Sequence, residues 1–369
     1  MSTFSDLPLL PTLSKSLQDQ GITVPTPIQA QTLPPLLEGK PVVGVAETGS
    51  GKTLAYCLPL LQQLKTLETN GSAVSESGRP RGLVLVPGRE LGEQVGRVLK
   101  SLTHTTRLRV RTALGGTRKQ IARQNVGGKF EILVATPGRL VQLMDGGNLR
   151  LDDVRMLVFD EADQVLDPGF LPVASRIVED CPHNVQLVLF SATLPITLDA
   201  IVAELFVHEP LRVRTQGSHR VVPTLTTDNR RVTEDRRFDA LASALNEAPD
   251  AGTLLFANTR DQCDRIAAWL DEEGVPYVAY RGQMDRQERR NNLKAFRAGE
   301  VSVLLSTDLG GRGLDIERIE RVINVYLPQD IDNYLHRVGR TARAGRAGLV
   351  INLVGKRDRH LIAKIESRG

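Results

Sequence analysis

Eight residues, Ala46-Glu-Thr-Gly-Ser-Gly-Lys-Thr53, stand between a short apolar run, Val42–Val45, and a helix-like stretch, Leu54–Leu64. A loop that leaves a buried strand and enters a helix points its backbone N–H groups, together with the positive helix end, at one spot above the strand. That spot suits a phosphate chain. Gly49 and Gly51 let the backbone approach closely, Lys52 can reach β/γ-phosphates, and the Thr53 hydroxyl can hold Mg²⁺. Ala46 stands where the strict pattern has Gly, so the loop calls for independent support.

A second strand signal supplies it. Met156-Leu-Val-Phe159 runs directly into Asp160-Glu-Ala-Asp163. In a parallel sheet, carboxylates at the C-terminal edge of a buried strand lie beside such a loop. Taken alone, the acidic run reads equally well as a solvated first helical turn. Next to a phosphate loop it reads as the other half of a nucleotide triphosphatase site, with Asp160 holding Mg²⁺ and Glu161 orienting or activating the attacking water.

Apolar runs ending in small or polar residues recur along the chain. Val42–Val45, Leu83–Val86, Ile132–Ala135, Leu157–Phe159 and Gln186–Phe190 read as strands in the first half. Thr253–Phe256, Val275–Ala279, Val301–Leu305, Val322–Val325 and Gly348–Val354 do so in the second. Helical patterns between them imply two similar α/β lobes, each a parallel sheet flanked by helices. At 369 residues the chain exceeds the usual size of a single core, which agrees. The boundaries expected are 1–209, a linker over 210–222, and 223–369. Glu68–Arg81, with Asn70-Gly71, reads as a mobile surface loop.

Composition excludes several classes. No apolar stretch approaches the ~18 residues of a membrane span, and the Met1–Asp6 start lacks the basic and apolar regions of a secretory signal. A cytoplasmic monomer with no membrane association is expected. Cys57, Cys181 and Cys263 are far apart and have no metal-ligand spacing, so buried reduced thiols are expected, with neither zinc nor disulfides. A net charge of +4 is too small to argue for a polyanionic partner by itself. Placed residues must carry that argument.

From Phe4 to about Val354 the chain resembles the DEAD-box ATP-dependent RNA helicases. Besides the two motifs above, Gly21-Ile-Thr-Val-Pro-Thr-Pro-Ile-Gln29 resembles the family's adenine-reading element, with Phe4 as its preceding aromatic. The resemblance implies an α/β fold of two RecA-like domains joined by a short linker, with ATP and Mg²⁺ as cofactors. It implies that the Gln29 amide reads the adenine edge and that Phe4, Ile22, Thr48, Gly49, Ser50, Gly51, Lys52 and Thr53 complete the first-lobe nucleotide site. Ile22 stands where the family usually has an aromatic residue that stacks on the base.

By the same resemblance, Pro87-Gly-Arg89, Gly115-Gly116 and Thr136-Pro-Gly-Arg139 line an RNA backbone groove. Glycine N–H groups, a hydroxyl and guanidinium groups suit phosphate oxygens and read no base, so binding should be independent of sequence. Gly88 replaces a usual Thr. Ser191-Ala-Thr193 would couple nucleotide state to duplex opening through Asp163. In the second lobe, Thr259, Gly282 and Thr307 fall at RNA-contact positions, Asp315 at the ribose, and Arg312 and His336 at coupling positions. Arg340 and Arg343 match the arginine fingers, which would meet the γ-phosphate across the interdomain cleft.

The implied activity is ATP-dependent local separation of short RNA duplexes, with single-stranded RNA also bound and 2′-OH contacts favouring RNA. The alternative is an ATP-switched RNA clamp or assembly factor with little unwinding, motivated by Ile22, Gly88 and Gly310-Gly311, the last standing where the family carries two alanines. A DNA translocase fits the adenine element and the Asp-Glu-Ala-Asp sequence less well.

Overall fold

The computed structural model describes residues 3–366, apart from 48, 167–170, 195, 216–224, 282, 283, 308–317 and 343–346. The chain divides into two compact units, Met1–Ser218 and His219–Gly369.

In the first unit the described strands are β1 Val42–Val45, β2 Gly82–Leu85, β3 Val110–Ala113, β4 Ile132–Ala135, β5 Met156–Asp160, β6 Gln186–Ser191 and β7 Leu211–Arg214. They form one sheet of order β3-β4-β2-β5-β6-β1-β7, and every pairing in it is parallel. The helices are α1 Pro11–Asp19, α2 Pro27–Leu37, α3 Lys52–Thr69, α4 Arg89–Thr106, α5 Lys119–Asn125, α6 Pro137–Asp145, α7 Ala162–Val165, α8 Leu171–Glu179 and α9 Ile196–Leu205.

The central strands are apolar without interruption because both of their faces are covered. Val42, Val84, Val134, Met156, Val158, Val188 and Phe190 point into a core shared with α1–α4. Val43, Val45, Leu83, Leu133, Leu157 and Leu189 point into a second core on the opposite face.

The second unit repeats the plan with β8 Leu225–Arg231, β9 Thr253–Ala257, β10 Tyr277–Tyr280, β11 Val303–Thr307, β12 Arg321–Asn324 and β13 Gly348–Val354, in the all-parallel order β10-β11-β9-β12-β13-β8. Its helices are α10 Arg237–Asn246, α11 Arg260–Glu272, α12 Arg286–Ala298, α13 Ile331–Val338 and α14 Arg359–Glu366.

Two local expectations need amending. Leu211–Arg214, inside the stretch expected as linker, is a strand paired in parallel with β1. It is an edge strand with three of its four residues exposed, so it lacks the apolar run that marks an interior strand. The stretch read as a mobile loop, Glu68–Arg81, is pinned: α3 continues to Thr69, Val74 is buried, Arg81 pairs with Asp153 at 2.8 Å, and Arg79 pairs with Asp152 at 2.9 Å.

Candidate active site

The loop Ala46–Gly51 leaves the carboxyl end of β1 and is anchored to β6 by Ala46 N–H donating to the Ser191 carbonyl at 3.1 Å. Gly51 begins α3 at φ +90°, and a Cβ there would stand 2.4 Å from Gln29 Nε2, so glycine is required twice over. Lys52 is buried, and its ammonium donates to the Ala46 and Glu47 carbonyls at 2.6 and 2.7 Å, which curls the loop around the Lys52 head. Ser50 Oγ donates to the Glu47 carbonyl at 2.6 Å and tightens the same turn.

Gln29 is buried with both ends of its amide engaged. Its Oε1 accepts from Thr26 N–H at 2.9 Å, and its Nε2 donates to the Gly51 carbonyl at 2.9 Å. The residue thus braces the phosphate loop against the start of α2. Phe4 lies in the core beside Leu13 and Leu17, with its N–H donating to the Thr23 carbonyl, and Ile22 packs partly buried against the same core.

Asp160 ends β5 and is almost fully buried. Its Oδ2 accepts from Tyr56 Oη at 2.7 Å and its Oδ1 from Glu161 N–H at 3.0 Å. Burial, with a smaller push from the Glu161 charge, raises its pKa to about 6, against the Tyr56 hydrogen bond and the Lys52 charge, which pull it down. Glu161 adopts a left-handed conformation, φ +50°, rare for a residue with a side chain, and its Oε2 accepts from Gln164 Nε2 at 3.0 Å. The backbone there is bent so that two successive carboxylates are held near one sheet edge.

Tyr56 was not singled out by sequence reasoning. Its signal is positional: it lies four residues after Lys52 on α3, hence on the same helix face. Sheet register explains its reach. Gly44, Phe190 and Asp160 are direct neighbours across β1, β6 and β5. A Cβ on Gly44 would stand 2.4 Å from the Phe190 ring, so glycine lets that ring lie over β1, where Tyr56 packs against it with centroids 5.7 Å apart.

Asp163, Ser191 and Thr193 lie together in the first unit. Thr193 Oγ1 donates to Asp163 Oδ2 at 2.8 Å, and Ser191 Oγ accepts from Asp163 N–H at 3.4 Å, joining the end of β6 to the turn after β5.

Across β5 the same sheet edge changes character. Arg89 donates to Thr117 Oγ1 at 3.2 Å, Arg139 donates to the Thr117 carbonyl, and Thr136 Oγ1 accepts from Gly115 N–H at 3.0 Å. The loops after β2, β3 and β4 therefore converge on the turn at Gly115–Thr117, with Pro87 and Gly116 in the same loops. Thr117 was missed in the sequence because a lone threonine after two glycines reads as ordinary turn chemistry.

In the second unit Thr307 ends β11, and its register partner Ala257 on β9 is followed by Thr259, whose Oγ1 accepts from Gln262 N–H at 3.2 Å to cap α11. Arg340 is buried and folds back, with Nε donating to the His336 carbonyl at 3.1 Å. Arg337, which the sequence reading passed over, is the buried tie of this region. Its guanidinium donates to Asn324 Oδ1, the Tyr326 carbonyl and Asn258 Oδ1 at 3.1, 2.7 and 2.6 Å. Thr48, Gly282, Arg312, Asp315 and Arg343 lie outside the described residues.

Tyr56, which donates to Asp160, is also hydrogen-bonded to the Thr53 hydroxyl, and the oxygens on offer there, that hydroxyl with the Asp160 and Glu161 carboxylates, suit a hard cation. Among the described residues no group of three or more His, Cys, Asp or Glu could hold a metal. The fit is to Mg²⁺ held by one carboxylate, a hydroxyl and nucleotide phosphates rather than by a protein cage.

A parallel α/β sheet with a phosphate loop after β1 and paired carboxylates after β5 defines a P-loop nucleoside triphosphatase. Comparison with known proteins narrows the class. Residues 26–201 match the DEAD/DEAH box helicase model, and 236–345 match the helicase conserved C-terminal domain. The ATP-dependent RNA helicase SrmB of Escherichia coli is 37% identical over 366 residues, covering 99% of this chain and 81% of that protein. The DEAD-box ATP-dependent RNA helicase CshA of Bacillus cereus is 35% identical over 368 residues, covering 99% and 68%. Among solved structures, Saccharomyces cerevisiae Dbp5 bound to RNA and ADP BeF3 superposes with a TM-score of 0.86 at 26% identity, covering 100% of this chain and 93% of that one. The chain belongs to the DEAD-box ATP-dependent RNA helicases, and its two units are the RecA-like domains of that family.

Proposed function

We propose that the enzyme couples ATP hydrolysis to local separation of short RNA duplexes, as a cytoplasmic monomer. The observation that carries this reading is the division of one sheet edge. Nucleotide-type groups follow β1 and β5, groups suited to an RNA backbone follow β2, β3 and β4 on the other side of β5, and the Asp163–Thr193 hydrogen bond ties the turn after β5 to the end of β6, the strand between β5 and β1.

In this reading the phosphate loop and Lys52 take the triphosphate, and Gln29 sets the adenine side of the pocket. Thr53 and Asp160 would hold Mg²⁺, which when bound neutralises charge developing on the phosphates. Glu161 orients the attacking water and receives its proton. Arg89, Gly116, Thr136 and Arg139 grip phosphates of one strand, with Thr259, Gly282 and Thr307 as the second unit's contacts. Arg340 and Arg343 would meet the γ-phosphate, Asp315 the ribose, while Arg312 and His336 relay the nucleotide state.

Strand displacement tests the reading against a clamp. With ATP, short RNA duplexes, blunt or tailed, should separate, and DNA duplexes of equal length should not stimulate hydrolysis comparably. RNA-stimulated hydrolysis with no displacement of any duplex would favour the clamp.

A further inference from the structure

The second unit carries a pocket of about 550 Å³ at the carboxyl ends of β8 and β13. Four cationic side chains from two stretches of chain line it: Arg231 at the end of β8 and Arg236 just before α10, with Lys356 on the turn after β13 and Arg359 at the start of α14. Asp239 is its single carboxylate. None of the four makes an ion pair within 4 Å or a side-chain hydrogen bond among the described residues, although Asp235 is close enough to Arg236 to feel its charge. Their neighbours do: Arg230 pairs with Asp228 and Glu247, and Arg237 with Glu234.

The walls are built independently of any ligand. Val232 N–H donates to the Val354 carbonyl at 3.0 Å, which keeps β8 and β13 together to their ends, and Gly355 N–H donates to Asp358 Oδ2 at 2.8 Å, which fixes the turn bearing Lys356. The buried Arg237 reaches beneath them to the Val325 and Leu353 carbonyls at 2.7 and 3.0 Å. Four exposed cationic side chains thus surround one concavity and give it a positive field that favours an anion.

We propose that this pocket binds a compact anion carrying a chain of three or more phosphates, distinct from the ATP taken up by the phosphate loop. A lining of four cations and one carboxylate matches three or more negative charges, and the volume is that of a small-molecule site. A continuous RNA backbone fits less well. The second unit's candidate RNA residues follow β9, β10 and β11, whereas the pocket's strands β13 and β8 lie two and three strands from β9, about 10–14 Å away at the usual strand spacing.

The probe is inorganic tripolyphosphate, titrated calorimetrically without Mg²⁺ into full-length protein carrying Lys52→Ala, which weakens the phosphate loop's own claim on the ligand. One saturable site per chain is expected. Joint Arg236→Gln, Lys356→Gln and Arg359→Gln should weaken it by about 30-fold or more as charge-assisted contacts are lost. Arg357→Gln, on the same turn but outside the pocket, should change it less than twofold. A thermal melt confirms that each variant is folded. Absence of saturable binding, or equal affinity in the triple variant, overturns the proposal. So does a triple variant whose only defect is weaker binding of single-stranded RNA. RNA-stimulated ATPase of the triple variant with Lys52 intact reports separately on the function proposed above.

Discussion

Tyr56 Oη donates to Asp160 Oδ2 at 2.7 Å, and both side chains are buried. A helix that begins in the phosphate loop thereby holds the carboxylate expected to take Mg²⁺. The row Gly44, Phe190, Asp160 across three strands makes that contact possible, because each member shapes the space the tyrosine enters.

Replacing Tyr56 by Phe should remove a hydrogen bond to the charged form of Asp160 and keep the ring packing. The loss is expected to cost about 1–3 kcal/mol of stability above pH 6 and much less at pH 5, where Asp160 takes up a proton. Urea unfolding of the apo protein at pH 5 and pH 7.5 checks it. Equal stability of Tyr56→Phe and parent at pH 7.5 would contradict the role given to this contact.

Asp160→Asn should stabilise the protein in the absence of Mg²⁺ and nucleotide. A carboxylate whose folded pKa is raised to about 6, against roughly 4 unfolded, binds more protons folded than unfolded between those values. Its contribution to stability therefore falls as pH rises from about 4 to about 6 and stays low above that. The variant minus parent difference should grow across this window to about 1–3 kcal/mol at pH 7. The observable is that difference, since other carboxylates titrate in both proteins. A flat difference from pH 4 to 8 would show that Asp160 is not held in a raised state.

Gly44→Ala places a methyl group 2.4 Å from the Phe190 ring. Relief must come from moving Phe190, and Tyr56 with it, so both stability and ATP turnover should fall, stability by about 1–3 kcal/mol. Gly51→Ala should weaken nucleotide binding more than it weakens the fold, because its strain sits in the phosphate loop, at φ +90° and against Gln29. Nucleotide binding and thermal melts on the two variants would separate the effects, and the reverse ranking would count against this reading of the loop.

Thr193→Val removes the hydrogen bond to Asp163 and keeps the side-chain shape. ATP hydrolysis should persist within a few-fold while strand displacement per ATP falls about tenfold or more. Equal loss of both activities would mean that this bond serves the nucleotide site alone.

Much of this was legible in the sequence, and the exceptions have a common cause. Interior strands such as Val42–Val45, Ile132–Ala135 and Gly348–Val354 stand out because burial on two faces demands continuous apolar residues. The strands that escaped notice, Val110–Ala113, Leu211–Arg214 and Leu225–Arg231, are edge strands in which exposure breaks the run. In the site, the loop and the acidic turn were readable because their chemistry is contiguous along the chain. The Tyr56–Asp160 bond joins residues 104 positions apart, and only the register of β5, β6 and β1 brings them together.

The central claim is that the turn after β5 performs the hydrolysis that drives RNA strand separation, and RNA-stimulated ATP turnover of Glu161→Gln tests it most directly. The amide keeps the shape and the contact with Gln164 but cannot receive a proton, so turnover should fall by roughly 10²–10⁴-fold with ATP binding retained. Turnover within twofold of the parent would contradict the assignment of this site as the catalytic one.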